Sequence, residues 1–310
     1  MSQTAEVECP RCGARFSVPL NASTVTCPYC FTIFSPREGV RAEETQFYFP
    51  LNNSLEPFEK LVLFIARQYA VPRELPKEFS VSRRELHWVP VHFFFADFKA
   101  EARGFSQVFG EATSEITETG LVSIPASGTW LDRELEHYPF PVRGKLPFNP
   151  EIKEKGIFHE PRVSREEAGK MAEAAVKAKI RLEAQESFSS LHALTVTKGE
   201  VEYRGLVYYP IWILEYTFRG ERFQALVDGA SGIVIKTQYP QTARGRLTLG
   251  AYSLLAILFG LAGGAAYAQS LGGGFLAIAG GLVVGVASAI APLSRSATRV
   301  ATASEYVELQ

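Results

Sequence analysis

LTLGAYSLLAILFGLAGGAAYA (residues 247–268) and LGGGFLAIAGGLVVGVASAIA (residues 271–291) follow one another without a single Asp, Glu, Lys or Arg. A helix rises 1.5 Å per residue, so a run of about 20 residues covers roughly 30 Å, the thickness of a bilayer's hydrocarbon. Only Gln269-Ser270 separates the runs, which leaves no room for a soluble domain and predicts a helical hairpin. A buried helical pair inside a soluble core is the competing reading, but soluble helices seldom run this far without a charge. The expectation is a two-span anchor in a membrane.

The flanks set the expected orientation. Lys236, Arg244 and Arg246 precede the first run, Arg295 and Arg299 follow the second, and the turn between them is uncharged. The positive-inside rule then puts both flanks in the cytoplasm and the turn at Gly272 to Gly274 outside. Residues 1–12 have only Ala5 and Val7 among polar neighbours, so no signal peptide is expected and the segment ahead of the first span should stay cytoplasmic. The expected location is the cell membrane, with both termini and the soluble domains on the cytoplasmic side.

A chain of 310 residues has room for two or three domains. Its net charge of −1 argues against a protein that binds polyanions through its whole surface. The 46% hydrophobic content averages a very apolar C-terminal hairpin with a soluble part rich in Phe and Tyr. All four cysteines lie within the first thirty residues, and that clustering points to chemistry rather than packing.

Cys9-Pro10-Arg11-Cys12 and Cys27-Pro28-Tyr29-Cys30 are two CxxC pairs with fourteen residues between them. A two-residue spacing lets both thiolates turn onto one cation, and two such knuckles complete a tetrahedral sulfur site of the kind zinc accepts in structural positions. Gly13 suits the left-handed backbone after the first knuckle; Phe31 holds that place after the second. Two disulfides are disfavoured by the cytoplasmic placement, and a redox dithiol would not need a second copy. Iron takes the same ligands, although zinc suits the closed structural role better. Strands are expected over residues 14–19 and 31–34. This stretch resembles the zinc-ribbon family, with Cys9, Cys12, Cys27 and Cys30 as ligands to a structural Zn²⁺. Four sulfurs leave no open coordination position, so the metal should fold the segment rather than catalyse. Residues 1–40 carry Arg11, Arg15 and Arg37 against Glu6, Glu8 and Glu38, so no basic stripe faces a nucleic acid and protein docking is the better use.

The middle of the chain reads as a repeat. Phe47-Tyr48-Phe49-Pro50 is echoed by Phe158-His159-Glu160-Pro161. A helix follows each: the first with Ser54 as cap and Phe58, Leu61, Val62, Ile65 and Tyr69 on one face, ending at Val71-Pro72. The second has Ser164 and Glu167 as a capping box, with Ala168, Met171, Ala172, Ala175 and Val176 facing inward. Aromatic strands come next, residues 88–95 and 208–215, and aligning Pro90 with Pro210 pairs Val91 with Ile211, His92 with Trp212 and Phe98 with Phe218. The second copy continues as strand 222–227, a turn at Asp228-Gly229-Ala230-Ser231-Gly232 and strand 233–235. Residues 107–119 are polar with weak alternation, which predicts an irregular sheet or a protruding loop. Between the copies, Pro125, Pro139, Pro141, Pro147, Pro150 and Pro161 mark a long connection without helix period, in which Tyr138-Pro139-Phe140-Pro141 could pin the chain to a domain surface.

Residues 203–236, closing on Ala225-Leu226-Val227-Asp228-Gly229-Ala230-Ser231-Gly232-Ile233-Val234, resemble the end of PepSY-type domains, which pack one helix on a small antiparallel sheet. The layout as a whole is similar to prokaryotic membrane proteins of uncharacterised function with an N-terminal zinc ribbon. The resemblance implies peptide or peptidase association and brings no catalytic residue.

The expected fold is therefore multidomain: a small β zinc ribbon (1–40), a first α+β repeat (41–120), a Pro-rich connection (121–157), a second, PepSY-like α+β repeat (158–240), and a transmembrane helical hairpin with a short cytoplasmic tail (241–310). Of the five histidines, His87, His92, His137, His159 and His192, no two have an HExxH spacing, and neither a phosphate loop nor a nucleophile elbow is present. His92, Asp97 and Trp212 are the residues a cleft between the copies would use, although a core histidine is the plainer reading of His92, and a backbone-bonding turn residue that of Asp228. Gly260 with Gly264, and Gly281 with Gly285, sit four apart and should let helices approach closely, first each other and then a second copy. The expected function is a non-enzymatic adaptor, anchored in a lipid bilayer, that meets a protein or peptide partner. The alternatives are regulation of a membrane peptidase or enzyme through the PepSY-like units, and tethering of nucleic acid through the ribbon.

Overall fold

The computed structural model describes residues 4–9, 14–19, 25–29, 33–34, 46–54, 56–271 and 274–306. At the N-terminus, β1 (Thr4–Glu8) and β2 (Arg15–Pro19) form an antiparallel hairpin, and β3 (Val25–Thr26) pairs with β4 (Ile33–Phe34). Cys9, Val18, Val25 and Cys27 are buried in one small cluster that the two hairpins share.

The rest of the soluble part is built on one sheet. In chain order its elements are β5 (Gln46–Tyr48), α1 (Pro57–Ala66), α2 (Leu75–Glu78), β6 (Ser80–Ser106), β7 (Gly110–Pro125), α3 (Trp130–Leu135), β8 (Leu146–Pro147), a 3-10 turn (Pro150–Glu154), β9 (Ile157–Phe158), α4 (Arg165–Ser187), β10 (Ser190–Phe218), β11 (Glu221–Asp228) and β12 (Val234–Pro240). The apolar helices α5 (Ala243–Leu271) and α6 (Gly274–Ala297) follow, and then β13 (Val300–Ala303). Among the described residues the sheet has nine strands, in the order β13-β12-β11-β10-β5-β8, with β6 on the other side of β10 and β7 and β9 beyond it.

Two strands of 27 and 29 residues, β6 and β10, run antiparallel along almost their whole length. Val89 faces Tyr209, and residues at equal steps on either side also face each other, from Arg83 opposite Glu215 to Phe93 opposite Gly205. Period-2 alternation fails at this centre because both faces are covered: residues 86–94 and 205–211 are buried without interruption. On one face Val89, Val91, Tyr209 and Ile211 pack against Leu131, Leu135, Tyr138 and Phe140. On the other, Trp88, Leu206 and Tyr208 meet Ile152, Phe148 and Phe158. Both covers come from the Pro-rich segment, which lacks a helical period because its apolar residues are spent one at a time over a wide surface.

The helices cover the ends of the sheet. The buried face of α1 (Phe58, Leu61, Ile65) packs on Leu214, Tyr216, Phe223 and Val227, the hairpin of β10 and β11. Helix α4 lays Val176, Ile180 and Ala184 on Ala96, Phe98, Ala100 and Ile116, the hairpin of β6 and β7. Each helix thus packs on a hairpin that it does not directly precede in the expected repeat. The capping box at Ser164 and Glu167 is present, whereas α1 starts at Pro57 without a side-chain cap, and Ser54 lies outside the helix. Met171 and Ala175 were expected to face inward and are exposed, since α4 touches the sheet along the narrower stripe Ala168, Ala172, Val176, Ile180 and Ala184. Residues 110–119, expected as an irregular stretch or a loop, belong to β7 and pair in unbroken register with β6 from Gly110 to Pro125.

Helices α5 and α6 pack as a hairpin through the four glycines singled out above. A methyl group at Gly260 would sit 2.8 Å from the Gly285 Cα, and one at Gly264 would sit 3.0 Å from the Ile278 Cα. Only 11% of each apolar window is buried, unlike the core helix of a soluble domain, and side chains such as Phe259, Phe275 and Leu276 are more than 70% exposed. The hairpin leaves from β12 and returns to β13, which pair with each other from Thr237 opposite Ala303 to Pro240 opposite Val300. The segment expected as a tail is therefore the edge strand of the sheet, and both ends of the hairpin are strapped to neighbouring strands.

Candidate functional site

Cys9 and Cys27, the first cysteine of each CxxC pair, are buried at 2% and 0% exposure in the same cluster, and the Cys9 amide donates to the Ala14 carbonyl at 2.9 Å. Cys12 and Cys30 lie outside the described residues. Cys9 directly follows β1 and Cys27 directly follows β3, so each starts the turn of its own hairpin. Among the described residues, no group of three or more His, Cys, Asp or Glu side chains is placed to hold a metal.

His92, Asp97 and Trp212 do not form a cleft. His92 faces Leu206 across the ladder, while Trp212 faces Leu86, six residues away, or roughly 20 Å at strand rise. His92 is a core residue, with Nδ1 3.2 Å from the Tyr203 hydroxyl and Nε2 3.0 Å from the Val163 carbonyl oxygen. Asp97, on the opposite side of the strand, accepts from Lys198 at 2.6 Å and from Thr119 at 3.2 Å. Trp212 lies under the Arg84 guanidinium.

Spacing along the chain did not reveal a second pair. His87 Nδ1 lies 2.8 Å from His159 Nε2, with the rings stacked. Strand β9 lies parallel to β6, and His159 is the residue that follows it. Burial pulls both imidazoles below the usual histidine range, opposed at His87 by the nearby Glu85 carboxylate.

Asp228 is fully buried and organises the turn after β11. Its Oδ1 accepts from the Ala230 amide at 2.8 Å, and its Oδ2 accepts from Ser231 Oγ and the Tyr138 hydroxyl, both at 2.7 Å. The turn role was legible from Asp-Gly-Ala-Ser-Gly; the bond from Tyr138, ninety residues earlier, was not. Burial, and then the charge of Asp228, raise the Tyr138 phenol well above its ordinary range.

One groove runs along an open strand edge. Strand β7 pairs only with β6, so its outer edge is open, and none of its backbone groups bonds to other backbone outside that ladder among the described residues. Residues 110–118 carry Glu111, Glu115 and Glu118, which discourage strand addition, while residues 120–125 (GLVSIP) carry no charge. That uncharged edge lines a cavity of about 610 Å³ walled by Met171 and Ala175 of α4 and by Arg133 and His137 at and beyond α3. Leu121 and Met171 are each 49% exposed there, and Lys179 closes one end by donating to Glu118 at 2.8 Å.

None of the family models, curated proteins or solved structures compared with this chain matches it.

Proposed function

We propose that this protein is a membrane-anchored cytoplasmic adaptor that binds an extended segment of a partner protein by strand addition to β7. The observation that carries the reading is the uncharged open edge at residues 120–125 inside a groove between an edge strand and a helix. Backbone groups of the edge would supply affinity, and the apolar wall at Leu121, Met171 and Ala175 would select an apolar side chain at alternate positions of the guest. The α5–α6 hairpin is the anchor: its outward residues are apolar and its helices close on glycine. Residues 229–304 contain five cations and no carboxylate, and the charges flank the apolar runs, which supports cytoplasmic flanks. Cys9, Cys12, Cys27 and Cys30 hold a structural zinc ion that shapes a docking tip. The long ladder supports the repeat: with Pro90 aligned on Pro210, Val89 corresponds to Tyr209, the residue it faces. The same alignment relates the β5 contact on Tyr208 to the β9 contact on Trp88, and places Tyr48, rather than Phe47, in the position of Phe158. The sheet is then an internal duplication in which each copy lends its helix and leading strand to the other.

The test uses the full chain in nanodiscs and a random library of ten-residue peptides. Selected peptides should slow hydrogen exchange at the amides of residues 120–124 and lose binding when alternate backbone amides are N-methylated. Peptides that leave exchange in β7 unchanged would overturn strand addition. Retention in the bilayer after alkaline carbonate is the expectation for the anchor.

A further inference from the structure

The base of the hairpin holds a second cavity, of about 650 Å³, between the start of α5, the end of α6 and the β12–β13 edge. Its walls include Tyr69, Tyr239, Gln241, Leu249, Arg295 and Thr298. Three observations define what would fit it. First, Arg295 lines the cavity and makes no ion pair among the described residues, and no carboxylate occurs between residues 229 and 304 to neutralise it. Second, Gln241 Oε1, in the cavity wall, is buried and has no hydrogen-bond donor. Buried polar atoms left unpaired are costly, so each marks a place where a partner belongs. Third, the cavity mixes these groups with Leu249, at the point where the apolar run begins.

We infer that this cavity binds the headgroup of an anionic phospholipid, with the phosphate on Arg295 and a headgroup hydroxyl donating to Gln241 Oε1. The inference rests on the membrane reading of the hairpin. A guanidinium pairs with a phosphate through two parallel N–H donors, and the orphan acceptor asks for a hydroxyl or ammonium donor that a choline cannot supply. Leu249 faces the glycerol and upper acyl carbons. Because α5 and α6 continue from β12 and into β13, a lipid held here would brace the sheet edge against the bilayer.

The experiment measures thermal unfolding of the full chain in a neutral detergent with short-chain phosphatidylglycerol, short-chain phosphatidylcholine or inorganic phosphate added. Phosphatidylglycerol at a large excess should raise the melting temperature by about 5 °C, the scale expected when a ligand binds only the folded state. Phosphatidylcholine should raise it by less than half of that. Arg295→Gln and Gln241→Leu should each remove most of the shift, whereas Arg295→Lys, which keeps the charge and loses the two-donor fork, should keep only part of it, and all three should retain the wild-type far-UV spectrum. Equal protection by phosphatidylcholine, or an undiminished shift in Arg295→Gln, would overturn the site. Equal protection by inorganic phosphate would assign the cavity to a soluble anion and overturn the lipid. If the wild type washes off bilayers in carbonate, the membrane reading falls and takes this inference with it. If it stays and shows no lipid dependence, the inference alone falls.

Discussion

Replacing Tyr138 by Phe removes one hydroxyl and leaves the ring where it is, at 4.9 Å from Phe140 and 5.3 Å from Tyr306. The lost group donates to Asp228 Oδ2 at 2.7 Å in a site where Asp228 is 0% and Tyr138 2% exposed. A hydrogen bond to a charged group contributes about 1.5–3 kcal/mol, and no water replaces it at full burial. The Ser231 hydroxyl and Ala230 amide still hold the carboxylate, which keeps the cost within that range. For a folded body of this size, about 2–4 °C accompanies each kcal/mol, so the melting temperature should fall by about 3–12 °C. Tyr138→Ala, which also empties the ring's place, should cost about 3–5 kcal/mol. Coupling to Asp228→Asn in a double-mutant cycle should be about 1–2 kcal/mol. The pH dependence has a fixed sign. The phenol's folded pKa lies above its unfolded value near 10, so its contribution is complete below pH 10 and is lost as pH rises beyond it. Tyr208, Tyr209 and Tyr216 are raised by burial as well, so Tyr138→Phe should make the alkaline limb shallower without abolishing it. A melting temperature within 1 °C of wild type, or additive losses in the cycle, would refute the idea that this bond ties the Pro-rich segment to the sheet.

Four further outcomes are expected. Gly264→Val and Gly281→Val should loosen the hairpin and lower its detergent melting temperature, because a side chain there meets the facing backbone. Gly263→Ala and Gly280→Ala, with nothing within 4 Å of the new methyl, should be neutral or stabilising by up to about 1 kcal/mol in helix propensity; equal effects at the two pairs would contradict the packing. His87, His92 and His159 are held below the usual histidine pKa mainly by burial, so their contribution is complete above pH 6.5 and lost as pH falls, and His92→Gln should flatten the drop in melting temperature between pH 6.5 and 5. Metal analysis should find about one zinc per chain, and chelation or Cys9→Ser should unfold the ribbon while leaving the main sheet's melting transition in place. At the groove, Met171→Glu should abolish binding of library-selected peptides with little change in stability, since Met171 is half exposed; unchanged affinity would place the guest elsewhere.

Local rules made several elements legible. The apolar runs at 247–268 and 271–291 and their glycines four apart specified a tight helical hairpin, because length and small-residue spacing act within a few turns of helix. Ser164 with Glu167 specified where α4 starts, and Asp228 to Gly232 specified a turn, since both signals are completed by neighbours in sequence. Aromatic β-branched runs marked β6 and β10 as strands. Their partners could not be read there, because alternation says that a face is buried and not against what. At the centre, where both faces of Val89 and Tyr209 are covered, even the alternation disappears. Only the assembled sheet decided that α1 and α4 each cross to the other hairpin, that Tyr138, Phe140 and Ile152 of a Pro-rich segment close both faces, and that residues 300–303 form an edge strand. The same holds for the sites: the open edge of β7, the His87–His159 contact and the cavity at Arg295 exist only where distant segments meet.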